Sequence, residues 1–247
     1  METEAIVLAN MPYKERDAIL KVYTETGIVS VFARGVQGMK SKNRRLTQPW
    51  SLVRLIINEQ RSRDMLFLER GTLDADWFHL NDDLLLQTGL AVLRDLLFKA
   101  DSKTLFQPLK TQLALTNKEM SWNRPVWLLA QLMKEQGIAP NVDACAICGS
   151  TSGIVTLSLE EGGFLCRECS GVPAWKKNDL LRMRALFKAE ETNLDALFDK
   201  YTYTVKDFVE LAGWFDYHFD ERLAALAFLR DLLGMKDRSQ SEKPAGS

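Results

Sequence analysis

Hydrophobic positions change their period along the chain near residue 76. Before that point the apolar residues form short runs with β-branched and aromatic members, separated by turn residues, and this pattern predicts strands. The predicted strands are 5–8, 19–23, 28–32, 50–57 and 65–69, with Gly71 closing the fifth. Five short strands with a long polar connection between the third and fourth favour a five-stranded OB-type barrel, and an SH3-like barrel is the alternative.

Beyond residue 76 the leucines recur at helical spacing. Leu86, Leu90, Leu93 and Leu97 predict a helix from about 81 to 98. Further helices are predicted around 105–113, over 121–136 with Ser121 as cap, from an Asn178 cap to 188, and at 205–219 and 221–233. We therefore expect an α+β chain: a barrel over 1–80, a helical domain over 81–235 with an insert at about 141–172, and a flexible tail over 236–247.

Charge becomes informative only through its distribution, because the formal net charge of the 247 residues is −1. No acidic residue occurs from Thr26 to Asn58. Six basic residues do: Arg34, Lys40, Lys42, Arg44, Arg45 and Arg54. This concentration predicts a surface for a polyanion, and the alternative is a solvated loop whose basic residues serve solubility. Phe32 and Trp50 flank the stretch, where they would either stack on bases or pack in the core.

The four cysteines predict a metal site in the insert. Cys145 and Cys148 form one C-x-x-C pair, and Cys166 and Cys169 form a second after seventeen residues. A two-residue spacer lets both sulfurs of one turn face the same ion, and two such turns complete a tetrahedron, so the spacing predicts one structural Zn²⁺. Disulfides and reactive thiols are the alternatives. Glu2 and Glu4 stand where a signal peptide carries positive charge, so we expect a cytoplasmic protein, in which disulfides are rare.

Other features of the chain argue against catalysis and against DNA binding by the insert. Four acidic residues and one arginine lie between 138 and 175, and zinc-bound thiolates would add negative charge, so this module is expected to repel phosphate. The sequence has no P-loop, G-x-G-x-x-G or G-x-S-x-G motif, and its two histidines, His79 and His218, are far apart. No apolar run approaches the length of a membrane helix. We therefore expect a protein that is not an enzyme and does not enter a membrane.

Several segments, taken in order, resemble one known family. The string ARGVQGMKSKNRRLTQPW is similar to the basic loop of the bacterial recombination mediator RecO, and MPYKERDAILKVYTETGIVSVFARG resembles that family's opening strands. The segments ADWFHLNDDL, CAICG with GGFLCREC, and GWFDYHFDERLAALAFL also occur in family order. The resemblance spans roughly residues 2–233. It carries the family's zinc ligands to the four cysteines and its DNA-facing loop to Arg34, Lys40, Lys42 and Arg44.

The resemblance implies a DNA repair and recombination mediator. Such a protein binds single- and double-stranded DNA, anneals complementary strands and, with RecR, helps to load the RecA recombinase onto single strands coated by single-strand-binding protein, whose C-terminal tail is a further expected partner. A zinc-ribbon adaptor in transcription or RNA metabolism is the alternative, although it would need a basic zinc module. A nucleic-acid enzyme would need clustered acidic or histidine ligands, which the sequence does not display.

Overall fold

Over most of the first 76 residues buried and more exposed positions alternate, as strands with one face on a core require, whereas residues 5–8 are all buried. In the computed structural model, which describes residues 1–38, 41–59, 66–116, 122–219 and 222–234, the first 76 residues form five strands. These are β1 (Glu2–Tyr13), β2 (Asp17–Thr24), β3 (Gly27–Ala33), β4 (Ser51–Glu59) and β5 (Leu66–Asp76).

The five strands form a closed barrel in the order β1-β2-β3-β5-β4. β1 pairs antiparallel with both β2 and β4, and the short parallel pairing of β3 with β5 completes the circuit. This closure confirms the OB-type barrel over the SH3-like alternative. The interior is a cluster of small and branched apolar side chains: Ala5, Val7, Ala18, Leu20, Val22, Val31, Ala33, Val36, Leu46, Val53, Leu55 and Ile57.

Gly71 does not end the fifth strand, so that prediction was wrong. β5 continues through Gly71 to Asp76 and stays paired with β4. A Cβ at Gly71 would lie 2.9 Å from a methyl carbon of Leu55 and 3.1 Å from one of Leu46. The glycine is therefore needed inside the strand, where neighbouring side chains come too close for a Cβ. In the sequence alone such a glycine looks the same as one in a turn.

After the barrel the described residues are helical, with one small hairpin. The helices are α1 (Leu84–Ala100), α2 (Phe106–Leu115), α3 (Asn123–Glu135), α4 (Lys177–Lys188), α5 (Leu194–Lys200), α6 (Val205–Phe219) and α7 (Ala224–Leu232). The hairpin pairs β6 (Ile154–Ser158) with β7 (Gly163–Cys166), between the two cysteine pairs. None of the helices in the described ranges is both long and apolar enough to cross a membrane.

Helix ends differ from the predictions in detail. Asp83 caps α1, where its Oδ1 accepts the backbone N–H groups of Leu85 at 2.8 Å and Leu86 at 3.2 Å. Asn178 is not a cap, because α4 begins one residue earlier and Lys176 stands at the cap position without a side-chain hydrogen bond. The sequence reasoning also missed α5. The predicted Ser121 cap and the predicted tail over 236–247 lie outside the described residues.

The chain divides into two packing units. One unit comprises Met1–Gln87 and Leu97–Asn117, and therefore includes α2 as well as the barrel. The other comprises Thr88–Leu96 and Lys118–Ser247. In the first unit the hydroxyl of Tyr23 on β2 lies 2.8 Å from Ser102 Oγ and accepts the backbone N–H of Leu105 at 2.9 Å.

Candidate nucleic-acid interface and metal centre

The basic stretch after β3 is anchored to the barrel rather than looped out. Val36 is 1% exposed and Leu46 4% exposed, and both side chains belong to the barrel core. Between them the segment forms a 3-10 helix, Lys42–Thr47, in which Thr47 Oγ1 donates to the Arg44 carbonyl at 2.8 Å. Two apolar positions of this otherwise polar stretch therefore belong to the barrel core.

The anchored helix leaves its arginines in solvent. Arg44 and Arg45 are exposed, and they precede the buried pair Leu46 and Thr47. Arg34 is exposed directly after β3. Lys40 and the side chain of Lys42 lie outside the described residues. The structure therefore fixes three of the six candidate DNA-binding residues on the surface next to the barrel, through local packing that the sequence did not reveal.

Arg54 lies on β4, apart from this group, and it already has an acidic partner. Its Nη2 donates to Asp74 Oδ2 at 3.0 Å, and Glu4 on β1 is its cross-strand neighbour. The hydrogen bond and the charge of Asp74 raise the pKa of Arg54 above its ordinary value. Asp74 partly neutralises the charge of Arg54. A phosphate is therefore attracted less strongly by Arg54 than by Arg34, Arg44 or Arg45.

A second basic turn joins the same end of the barrel, and the sequence analysis missed it. Lys14 and Arg16 are exposed in the connection between β1 and β2. The Gln37 backbone N–H donates to the Arg16 carbonyl at 2.9 Å, and the Gly35 N–H donates to Asp17 Oδ1 at 2.8 Å. These bonds hold the turn against the segment that follows β3. The charges in residues 14–17 (KERD) alternate in sign, so the net charge of this run is zero and the sequence does not stand out as basic.

The two aromatic residues that flank the basic stretch have different environments. Trp50 is only 6% exposed, and its backbone N–H donates to the Val7 carbonyl at 2.7 Å. Its indole is therefore part of the packing and not available for stacking. Phe32 is half-buried and contacts the rings of Tyr13 and Phe67.

The four cysteines come together as a metal-binding cluster. The sulfurs of Cys145, Cys148, Cys166 and Cys169 all lie within 4.8 Å of one another. Those of Cys148 and Cys166 are 3.7 Å apart, close to the about 3.8 Å separating two sulfurs at tetrahedral angles and 2.3 Å from one ion. None of the four is in a disulfide. The donor set and its spacing therefore suit one structural metal ion.

Backbone turns place the sulfurs of both pairs. The Gly149 N–H donates to the Cys145 carbonyl at 2.9 Å, and Ser170 makes the equivalent bond to Cys166 at 2.9 Å. Gly149 has φ 73°, a left-handed conformation that a side chain would strain. Backbone N–H groups of Cys148 and Cys166 lower the pKa of the Cys145 thiol to about 6, whereas neighbouring thiols raise that of Cys169 to about 12. The backbone of the first turn thus favours the thiolate at Cys145.

The insert at about 141–172, which we call the cysteine module, contacts the following helix through an acidic residue. Asp143 lies between Arg184 Nη2, at 3.3 Å, and the Lys188 ammonium, both on α4. The hydrogen bond from Lys188 is the main reason that the pKa of Asp143 lies below its ordinary value. Glu160 and Glu161 are exposed in the turn of the hairpin. The module is thus tied to α4 by charge and presents acidic residues to solvent.

The two histidines take part in separate local packing. His79 Nε2 lies 3.0 Å from the Thr116 carbonyl oxygen, and the His218 ring packs edge-on to Trp214 at 4.6 Å between centroids. Neither contact joins them to the cysteines or to a described acidic cluster. The described residues therefore offer no catalytic constellation built on histidine.

Comparison with known families agrees with this architecture. Residues 1–74 match the model of the recombination protein O N-terminal domain, and residues 89–224 match that of its C-terminal domain. The chain belongs to the RecO family. Relatives named DNA repair protein RecO include one from Syntrophomonas wolfei, 27% identical over 69% of this chain and 70% of its own. One from Desulforamulus reducens is 24% identical over 92% of each chain. As a RecO chain it has a role in DNA repair and recombination.

Proposed function

We propose that this chain is a DNA-binding recombination mediator that acts without catalysing a reaction. In this proposal it binds single- and double-stranded DNA in the cytoplasm, at the nucleoid, and anneals complementary strands. With RecR it helps to load RecA onto single strands coated by single-strand-binding protein, whose C-terminal tail it contacts. The observation that supports this most directly is the group of exposed arginines held against an OB-type barrel in a RecO chain.

The proposed chemistry of DNA binding is electrostatic. Arg34, Arg44 and Arg45 would contact phosphates, and such contacts carry affinity but no sequence information. Lys40 and Lys42 belong to the same proposal through their place in the sequence, while the ion pair of Arg54 with Asp74 gives it a smaller share. Annealing follows from the same charges, because cations between two phosphate chains reduce the repulsion that opposes their pairing.

The cysteine cluster is proposed to hold one Zn²⁺ in a structural role. Cys145, Cys148, Cys166 and Cys169 would supply all four ligands of a tetrahedron and leave no coordination position open to water or substrate. Bound zinc would stabilise the fold of the module by linking its two turns. The exposed acids Glu160 and Glu161 support a module that does not itself bind DNA.

The test removes three charges from the proposed interface. In the triple variant Arg34→Ala, Arg44→Ala, Arg45→Ala, we expect binding of any DNA sequence to weaken by roughly tenfold or more, with a smaller salt dependence. The matched control is Lys176→Ala, Lys177→Ala, Lys206→Ala, which removes equal charge from exposed positions of the helical unit. Fluorescence anisotropy with labelled single- and double-stranded oligonucleotides measures affinity, and circular dichroism checks folding.

The same proteins then enter an annealing assay with complementary oligonucleotides, with and without single-strand-binding protein. We expect the wild type and the control to accelerate annealing, and the triple variant to do so much less. Adding RecR and RecA tests the loading step separately. A triple variant that folds and anneals strands like the wild type would show that the DNA surface lies elsewhere.

A further inference from the structure

The outer face of the barrel carries a row of aromatic side chains. Tyr13 at the end of β1, Phe32 on β3 and Phe67 on β5 contact one another in sequence. The ring centroids are 5.7 Å apart for the first pair and 5.5 Å for the second, and both contacts are edge-to-face. Tyr13 is 43% exposed, and the two phenylalanines are half-buried. We call these three residues the aromatic row.

The aromatic row is not needed to fill the barrel interior. On β3 the neighbours of Phe32, Val31 and Ala33, belong to the core, and on β5 Leu66 and Leu68 pack against it. Since side chains alternate along a strand, Phe32 and Phe67 face outward. Met11, 41% exposed, lies on the same outer face, because it pairs with Ile19 on β2 and Ile19 pairs with Phe32 on β3. An extended apolar surface of this kind, on the outside of a barrel, points to a ligand.

Charges at one end of the aromatic row indicate what kind of ligand. The Lys14 ammonium lies 5.4 Å from the centroid of the Tyr13 ring, and Lys14 has φ 54°, an unfavourable conformation for a residue with a side chain. Arg16 and Arg34 are exposed at the same end, and so is the acidic Glu15, while Asp17 accepts the Gly35 N–H. Three cations therefore face two acids at this end. The rim is therefore mainly cationic, which favours a polyanion over an apolar protein partner.

We propose that the aromatic row is a stacking platform for the unpaired bases of single-stranded DNA, with Lys14, Arg16 and Arg34 contacting the flanking phosphates. This rests on the proposed function, which it deepens by assigning the part of the interface that distinguishes single from double strands. Aromatic side chains stack on any base, whereas the bases of a duplex are stacked on each other and unavailable. An edge-to-face contact uses the edge of one ring and the face of the other, so it leaves ring faces for a base.

The test separates stacking from electrostatics. Tyr13→Leu removes the ring while retaining an apolar side chain, and Tyr13→Phe retains the ring. The control is Tyr217→Leu, which removes a 66% exposed ring from α6. We expect Tyr13→Leu to weaken binding of a single-stranded oligonucleotide by about 5- to 100-fold, with binding of the matched duplex unchanged. Tyr13→Phe and Tyr217→Leu should bind both as the wild type does. A single-stranded backbone of the same length with abasic sites, which keeps the phosphates, should bind the wild type and Tyr13→Leu equally.

The possible outcomes distinguish this proposal from the function on which it rests. If the wild type binds neither form of DNA, the proposed function fails and the stacking platform with it. If the wild type binds DNA and folded Tyr13→Leu binds the single strand equally well, only the platform is overturned, and the row would then be a surface for a protein partner. Equal weakening of single-strand and duplex binding would also overturn it. Since Tyr13 is exposed at a strand end, its variant is expected to fold, and Phe32→Leu provides a second test.

Discussion

Tyr23 shows how a single hydroxyl connects two parts of the barrel unit. The side chain is fully buried although it lies on the outer face of β2, opposite Ile28, because the segment before α2 and α2 itself cover it. Its hydroxyl contacts Ser102 Oγ and the Leu105 N–H, and its ring meets Phe106 edge-to-face with centroids 5.9 Å apart. Buried polar groups need such partners, so this one atom satisfies a backbone donor that would otherwise be orphaned.

Removing that hydroxyl should destabilise the barrel unit. In Tyr23→Phe the Leu105 N–H loses its acceptor inside the protein, and we expect the free energy of unfolding to fall by about 1–3 kcal/mol. Tyr217→Phe is the matched control, because its side chain is 66% exposed and water replaces the hydroxyl's contacts. Urea unfolding followed by circular dichroism measures both. Equal midpoints for the two variants would contradict the structural role of the Tyr23 hydroxyl.

Among the folded elements, the cysteine module combines little secondary structure with a dense set of potential ligands. Its hairpin pairs only β6 and β7, and the small core around its sulfurs consists of Cys145, Leu165 and Cys166 with a few half-buried neighbours. So small a core contributes little hydrophobic stabilisation. A bound ion would therefore supply much of the stability of this element.

Loss of one sulfur ligand should therefore release the metal and loosen the module. For Cys166→Ser we expect less than one zinc per chain, against one for the wild type, and a lower melting temperature. Ser150→Ala, in the same module but without a ligand, should keep its zinc. Elemental analysis of the purified proteins measures the metal. Wild-type protein without a stoichiometric metal, prepared in the absence of chelators, would refute the zinc proposal.

The order of elements could be predicted largely from the sequence, and the misses have local causes. Short apolar runs bounded by turn residues identified five strands, and leucine spacing identified most helices, because burial on one face imposes the helical period. Nothing in the amino-acid pattern indicates that β5 passes Gly71, because the reason for the glycine is the proximity of Leu55 and Leu46 in the fold. The short helix α5, only seven residues long, offers barely two turns in which a period can appear.

The candidate sites were predictable to different degrees. The metal cluster followed from spacing alone, because two C-x-x-C turns carry their own geometry. The pairing of Arg54 with Asp74 could not be foreseen, since the two residues are twenty positions apart and meet only when β4 and β5 pair. The contact of Tyr13 with Phe32 and Phe67 likewise depends on the strand order of the barrel.

For the molecule as a whole, a net charge near zero conceals two surfaces of opposite character. The barrel unit presents the basic stretch, and the other unit contains the acidic cysteine module. A polyanion therefore experiences attraction at one surface that the total charge does not indicate.

DNA affinity should accordingly depend steeply on salt. If the basic residues of the barrel supply most contacts, plots of log affinity against log salt should have slopes of roughly −3 to −5, because each contact releases condensed cations. Anisotropy titrations at several sodium chloride concentrations measure the slope. The control Glu160→Ala, Glu161→Ala in the acidic module should leave it unchanged. A flat salt dependence, or loss of binding in that control, would contradict an electrostatic interface on the barrel.

The barrel unit includes a segment that is synthesised well after its last strand, and this affects its folding on the ribosome. The unit ends at Asn117, although its last strand ends at Asp76. Until the segment with Ser102 and Leu105 has emerged, the buried face of Tyr23 has no cover. At about 5–20 residues per second, making residues 77–117 takes roughly 2–8 s, during which the nascent barrel exposes that face. Chaperones that bind apolar nascent chains therefore have a defined interval in which to act, and a fragment ending at residue 80 would remain in this uncovered state.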